Sequence, residues 1–148
     1  MTKNARGSTA CAVVLGLGLS AAVVGSGLAG LLDDRQATMK TISLAFRPLG
    51  NLAKQRKFDA AAVAAGSQAI VAGLTRFKDL FPEGSEHADN SSSAAIWSDR
   101  AGFDKALGNA IAAANRLATA QDPLSLRDTT QAMADACSAC HHGYRIDK

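Results

Sequence analysis

From Leu32 onward the apolar residues recur at alternating intervals of three and four, the spacing of helices that bury one face. No stretch shows the sustained period-two alternation of a half-buried strand. Four segments follow. The first runs from about Leu32 to Lys54, with Leu32, Arg35, Met39, Ile42, Phe46 and Leu49 on its inward seam. Pro48 cannot donate to the carbonyl of Leu44 and is expected to bend it. The second opens after Asp59, a good N-cap, and turns Val63, Ser67, Ile70, Leu74, Phe77 and Phe81 inward, with Pro82 and Gly84 as its stop. Pro82 to Ser93 is polar and reads as one long crossing loop. The third starts at Ser98 or Asp99, places Phe103, Leu107, Ala110, Ala114 and Leu117 in its seam, and ends at the Gln121-Asp122-Pro123 turn. The fourth carries Leu126, Thr130, Met133, Cys137, Cys140 and Tyr144 on one stripe. Together they predict an all-α domain, an antiparallel four-helix bundle, in which cofactors sit between facing helices.

Upstream of these segments the pattern changes. Lys3 and Arg6 precede an uncharged run from Gly7 to Leu32, and Gly27-Leu28-Ala29 offers the small residues that a signal peptidase reads. Residues 1–29 are therefore expected to be a cleaved signal peptide, with 30–148 as one mature domain; the alternative is a retained anchor, since the run is about long enough to span hydrocarbon. At 148 residues and 47% hydrophobic, the chain suits a single core of ordinary size. Losing Lys3 and Arg6 leaves fourteen basic against thirteen acidic residues, a net charge of +1. A domain so near neutrality lacks the basic stripe that nucleic-acid binding needs. Once the leader is gone, no membrane association is expected.

Cysteine usage narrows the chemistry. Cys11 lies in the leader, so the mature domain keeps only Cys137 and Cys140, too few for a disulfide framework. Cys137-Ser138-Ala139-Cys140-His141 is a complete CxxCH, the signature of covalent haem attachment. On a helix, positions i, i+3 and i+4 share a face, so two sulfurs can form thioethers to the haem vinyl groups while the adjacent imidazole reaches iron. A thioredoxin-like dithiol would need a βαβ setting and a helix N-terminus. A zinc site would need further ligands, and the remaining histidines are His142, beside the motif, and His87, in the loop.

The second axial position of the iron separates an electron carrier from a ligand-binding protein. Met133 is two turns back on the helix of His141, about 12 Å along its axis, and cannot reach the opposite face. Met1 falls in the leader. Met39, on the inward seam of the first helix, is the remaining methionine, either core filler or the distal ligand. Arg35 lies one turn earlier on the same stripe, where a haem propionate would neutralise it. His87, if the loop folded over the distal face, is the competing ligand. Arg47, Lys54, Arg56 and Lys57 form a small basic cluster, either a solvated face or a dock for an acidic redox partner.

These residues resemble the cytochrome c-prime family, the class II c-type cytochromes, over essentially the whole mature region. The resemblance rests on Cys137-Ser138-Ala139-Cys140-His141 with Tyr144-Arg145, on Ile96-Trp97-Ser98-Asp99 with Phe103, and on Arg35-Gln36-Ala37-Thr38-Met39-Lys40. It implies one covalent haem c in a four-helix bundle, a periplasmic location after export, and redox partner proteins rather than a transformed substrate. High-spin members place an apolar residue over the iron, four positions after the arginine, and bind small gases there; low-spin members place methionine. Met39 matches the low-spin pattern, which implies a six-coordinate electron carrier and not an enzyme, with a gas-binding cytochrome as the alternative. Arg35 then corresponds to the residue near the propionates and Arg145 to the basic residue near the proximal histidine. The resemblance also allows a homodimer through the first two helices.

Overall fold

The computed structural model describes residues 24–87 and 91–146, with side chains from residue 30. Most of the expected leader lies outside them. The elements are α1 (Val24–Lys54), α2 (Ala60–Lys78), α3 (Ala95–Ser98), α4 (Arg100–Leu117) and α5 (Pro123–Tyr144), and among the described residues there is no strand. The four long helices close a ring in which α1 packs on α2 and α5, and α4 on α2 and α5. Every neighbouring pair is antiparallel. Asp34 near the start of α1 meets Arg76 near the end of α2 at 2.9 Å, and Arg100 at the start of α4 donates to the Lys78 carbonyl at 3.2 Å.

The seam residues account for the core. Ile42, Leu49, Val63, Ile70, Leu74, Phe103, Leu107, Ala110, Ala114, Leu117, Leu126 and Met133 are all buried, while Met39, Phe46 and Phe77 are half-buried. α1 runs on through Pro48 as one helix. Pro48 is exposed, so water can serve the Leu44 carbonyl that the proline leaves without a donor. Asp59 caps α2 by accepting from the Ala62 amide at 3.0 Å. Asp122 caps α5 in a capping box with Ser125, and the amides of Ser125 and Leu124 hold its carboxyl below the ordinary aspartate value. A depressed pKa means that this cap helps stability above the unfolded value and is lost as the pH falls through the folded one.

Three boundaries differ from expectation. α1 begins upstream of Leu32, because the preceding apolar run has no proline to stop it. α2 ends at Lys78, before Pro82, because the Asp79 amide turns back to the carbonyls of Arg76 and Phe77 and tightens the last turn. Ile96 and Trp97 belong to a separate short helix, α3, started by the Ser93 hydroxyl, which accepts from the Ala95 amide at 3.2 Å.

The turn after α1 carries strain. The Lys57 amide bonds the Leu52 carbonyl at 2.9 Å and the Arg56 amide bonds that of Ala53 at 3.1 Å, a Schellman ending that places Arg56 at φ 54°. That left-handed position normally takes glycine, and a side chain there costs about 1–2 kcal/mol. Glycine gives back part of this through its more flexible unfolded chain. Arg56→Gly is therefore expected to stabilise the fold by roughly 0.5–1 kcal/mol, as read by urea unfolding.

Candidate haem site

At one end of the bundle the seams do not meet. The middle of α1, the end of α2, the start of α4 and the end of α5 line a cavity of about 900 Å³. A volume near 1,000 Å³ is that of a large ligand site rather than a packing defect. Its walls are mainly apolar, from Leu32, Ile42, Phe46, Leu74, Phe77, Phe81, Phe103 and Leu107. Aromatic rings stiffen them edge to face: Phe77 on Phe81 at 4.9 Å, Phe81 on Phe103 at 5.2 Å, and Phe103 on Tyr144 at 5.3 Å.

The α5 wall carries Cys137, Cys140 and His141, and the α1 wall carries Arg35 and Met39, so the structure gathers every residue of the expected site around one cavity, Arg145 included. Both thiols are half-buried and unpaired with each other. Burial pushes the Cys137 thiol up; burial and the neighbouring Cys137 do the same to Cys140. A reactive dithiol shows the opposite shift, at a helix N-terminus, whereas this pair sits near the C-terminal end of α5. The donor set suits a covalently tethered haem: two thiols and an imidazole on the α5 wall, a thioether on the α1 wall, and a mainly apolar lining around them. Among the described residues no three His, Cys, Asp or Glu side chains converge as they would on a zinc ion. His87 is exposed and does not line the cavity.

Arg35 is buried and held by the protein itself. Its Nε donates to the Leu80 carbonyl at 2.9 Å, one terminal nitrogen donates to Ser85 Oγ at 2.8 Å, and the guanidinium lies 4.2 Å from the Phe81 ring centre. Ser85 in turn donates to the Pro82 carbonyl at 2.7 Å, so the long loop is pinned by α1. Hydropathy could not have found Ser85: a buried loop serine has no period. Trp97 is half-buried, donates its indole N–H to the Pro82 carbonyl at 3.0 Å and packs on Phe81, outside the cavity lining.

The same loop returns to close the site. The Ser93 amide bonds the Tyr144 carbonyl at 3.1 Å and the Ile146 amide bonds that of Ser91 at 2.8 Å, placing Ser91, Ser92 and Arg145 together on the cavity rim. The Tyr144 hydroxyl donates to Asp99 Oδ2 at 3.0 Å, while Asp99 Oδ1 caps α4 by accepting from the Gly102 amide at 3.1 Å. Partial burial and the Asp99 carboxylate push the phenol up, keeping it a donor. This tie fixes the turn that follows His141. Any Cβ at Gly102 would collide with the Asp99 carboxylate and the Tyr144 hydroxyl. Gly102→Ala is expected to cost about 2 kcal/mol, a lost cap plus a lost bond, measured as a lower urea midpoint.

The description "Cytochrome C'" belongs to the family model that matches residues 31–145. Cytochrome c-556 of Agrobacterium tumefaciens is 30% identical over 123 residues, covering 81% of this chain and all 100% of that protein. Cytochrome c-556 of Agrobacterium fabrum is 32% identical, over 81% of this chain and 84% of that one. A nitric oxide complex of a cytochrome c prime variant from Alcaligenes xylosoxidans superposes with a TM-score of 0.75 at 24% identity, over 82% of this chain and 97% of that one. Fold and site thus define a haem-bearing four-helix bundle of the c type. The chain belongs to the cytochrome c′ family, and its cofactor is a covalently attached haem c.

Proposed function

We propose that this protein is an exported, periplasmic monohaem electron carrier, with Cys137 and Cys140 as the thioether anchors and the iron held between His141 and Met39. The observation that carries it is Met39, half-buried on the α1 wall of the cavity whose α5 wall bears the CxxCH motif. Bound there, the haem c supplies a one-electron ferric–ferrous couple. The chain supplies the rest. The His141 imidazole and the soft Met39 thioether would hold the iron, and the thioether would favour the ferrous state and raise the potential relative to a second imidazole. The mainly apolar walls would shield the haem from water, and His141 and Met39 sit on long, packed helices, so little would have to reorganise when an electron arrives. Arg35, already fixed by Leu80 and Ser85, offers a stationary positive charge for a propionate. Arg145, on the cavity rim, would be the basic residue near the proximal His141. Electrons are exchanged with redox partner proteins, and no substrate is transformed.

The alternative is a gas-binding cytochrome in which Met39 only covers an open iron. Its support is the nitric oxide complex of the Alcaligenes neighbour. Carbon monoxide separates the two readings. Coordinated Met39 predicts slow and incomplete binding to the reduced protein; rapid, complete binding would defeat the carrier reading.

A further inference from the structure

A second cavity, about 580 Å³, lies between the last turns of α1 and the first turns of α5. Arg47, Lys54, Arg56 and Arg127 line it, over a floor that includes Phe46, Ala53 and Ala134. Phe46 and Ala134 also line the haem cavity, so the two spaces are neighbours along the α1–α5 seam. Lys40 extends the cations onto the haem cavity itself. Lys40, Arg47 and Lys54 are spaced by seven residues, hence on one stripe of α1. No Asp or Glu lines the second cavity, and its four cations make no ion pair among the described residues.

Ordinary surface chemistry explains part of this and leaves part over. Lys54, Arg56 and Lys57 stand at the C-terminal end of α1, where the helix dipole favours cations. Arg47 is two turns short of that end. Arg127 lies just past the first turn of α5, at the positive end of its dipole, where a cation is disfavoured. Arg56 holds its charge in a left-handed conformation that glycine would adopt more readily. The mature domain carries only +1 overall, so the concentration is local.

We propose that this stripe is the docking surface for a carboxylate-rich face of a redox partner protein, seated over the α1–α5 seam so that electrons cross at the cavity mouth beside Lys40. The proposal rests on the electron-carrier reading. The shape argues for a protein over a small anion. From Lys40 to Lys54 the stripe spans roughly 21 Å, too long for one dianion and suited to a partner's interface. All five cations are exposed, the arrangement that steers an encounter instead of sequestering an ion.

The test uses holoprotein in stopped-flow with three reagents: ferricyanide, the cationic tris(phenanthroline)cobalt(III), and a reduced acidic plant-type ferredoxin. At low salt the ferricyanide rate and the ferredoxin rate should be high, the latter saturating with ferredoxin concentration. Both should fall on the order of tenfold as salt is raised. R47E/K54E and R127E should lose about that factor at low salt and most of the salt dependence, while the cobalt rate holds or rises. In NMR of the ferrous protein, redox-inert hexacyanochromate(III) should broaden amides within 40–57 and 123–134. Charge-reversed variants that match the parent with both anionic reagents overturn the docking surface and leave the carrier reading intact. Steering of ferricyanide without saturation by ferredoxin means a small-anion site and overturns it as well. A fall in the cobalt rate alongside the others shows damage unrelated to charge and likewise overturns the docking surface. Sluggish reaction with all three reagents sinks the carrier reading itself, and this proposal with it.

Discussion

Replacing both Cys137 and Cys140 with alanine is expected to abolish covalent haem completely. Secreted by a host able to mature c-type cytochromes, the variant should give no haem-stained band on a denaturing gel, against a strong band for the parent. Each single variant should retain one thioether and an intermediate signal. The physical reason is that the proposed assignment makes the two half-buried sulfurs on the α5 wall the covalent anchors, while every other contact there would be reversible. Stability should fall too. A cofactor that binds only the folded bundle stabilises it by mass action, and without one a space of about 900 Å³ stays unfilled at that end. The double variant should therefore melt well below the parent. A fully haem-loaded double variant would show that the attachment lies elsewhere.

Met39→Leu should have the second largest effect, and leucine is chosen because it nearly conserves volume. Packing on the α1 wall then changes little, and any spectral change reports ligation. The iron of the variant is expected to become five-coordinate and high-spin in both oxidation states, and its potential to drop by on the order of 100 mV. A spectropotentiometric titration reads both. If spin state and potential stay where they were in the parent, Met39 is only part of the wall, as most methionines at helical spacing are.

Much of this site was legible because it lies on helices. The three-four spacing placed Arg35, Met39, Cys137 and Cys140 on inward stripes, and the structure brings those stripes to one cavity. Periodicity works there because a helix fixes direction residue by residue. It gave less at the ends of helices. α2 stops at Lys78 through backbone bonds of its own last turn, with no proline or glycine to announce it. The α3 helix depends on the Ser93 hydroxyl and on packing against α4 and α5, which short-range pattern does not encode. The long loop was the least readable. Ser85, Ser91 and Ser92 have the composition of solvated linker, yet Ser85 is buried against Arg35 and the other two help form the cavity rim.

Arg35 illustrates a further limit. Its place on an inward seam pointed to a need for an anion, and the partners found include uncharged groups instead: the Leu80 carbonyl, the Ser85 hydroxyl and the Phe81 ring. Sequence spacing locates a charge but cannot name its partners from a distant loop. The same holds for Arg127: its own helix shows only a cation at the unfavourable end of the dipole, and its neighbours become visible once α5 lies beside the cations of α1.

Absorption spectra of the mature holoprotein, oxidised and then reduced, decide whether His141 and Met39 share the iron. Coordination by both predicts low-spin spectra in both states, with sharp, resolved α and β bands on reduction and, in the ferric form, the weak charge-transfer band of thioether ligation at the red edge. High-spin spectra in both states would contradict it.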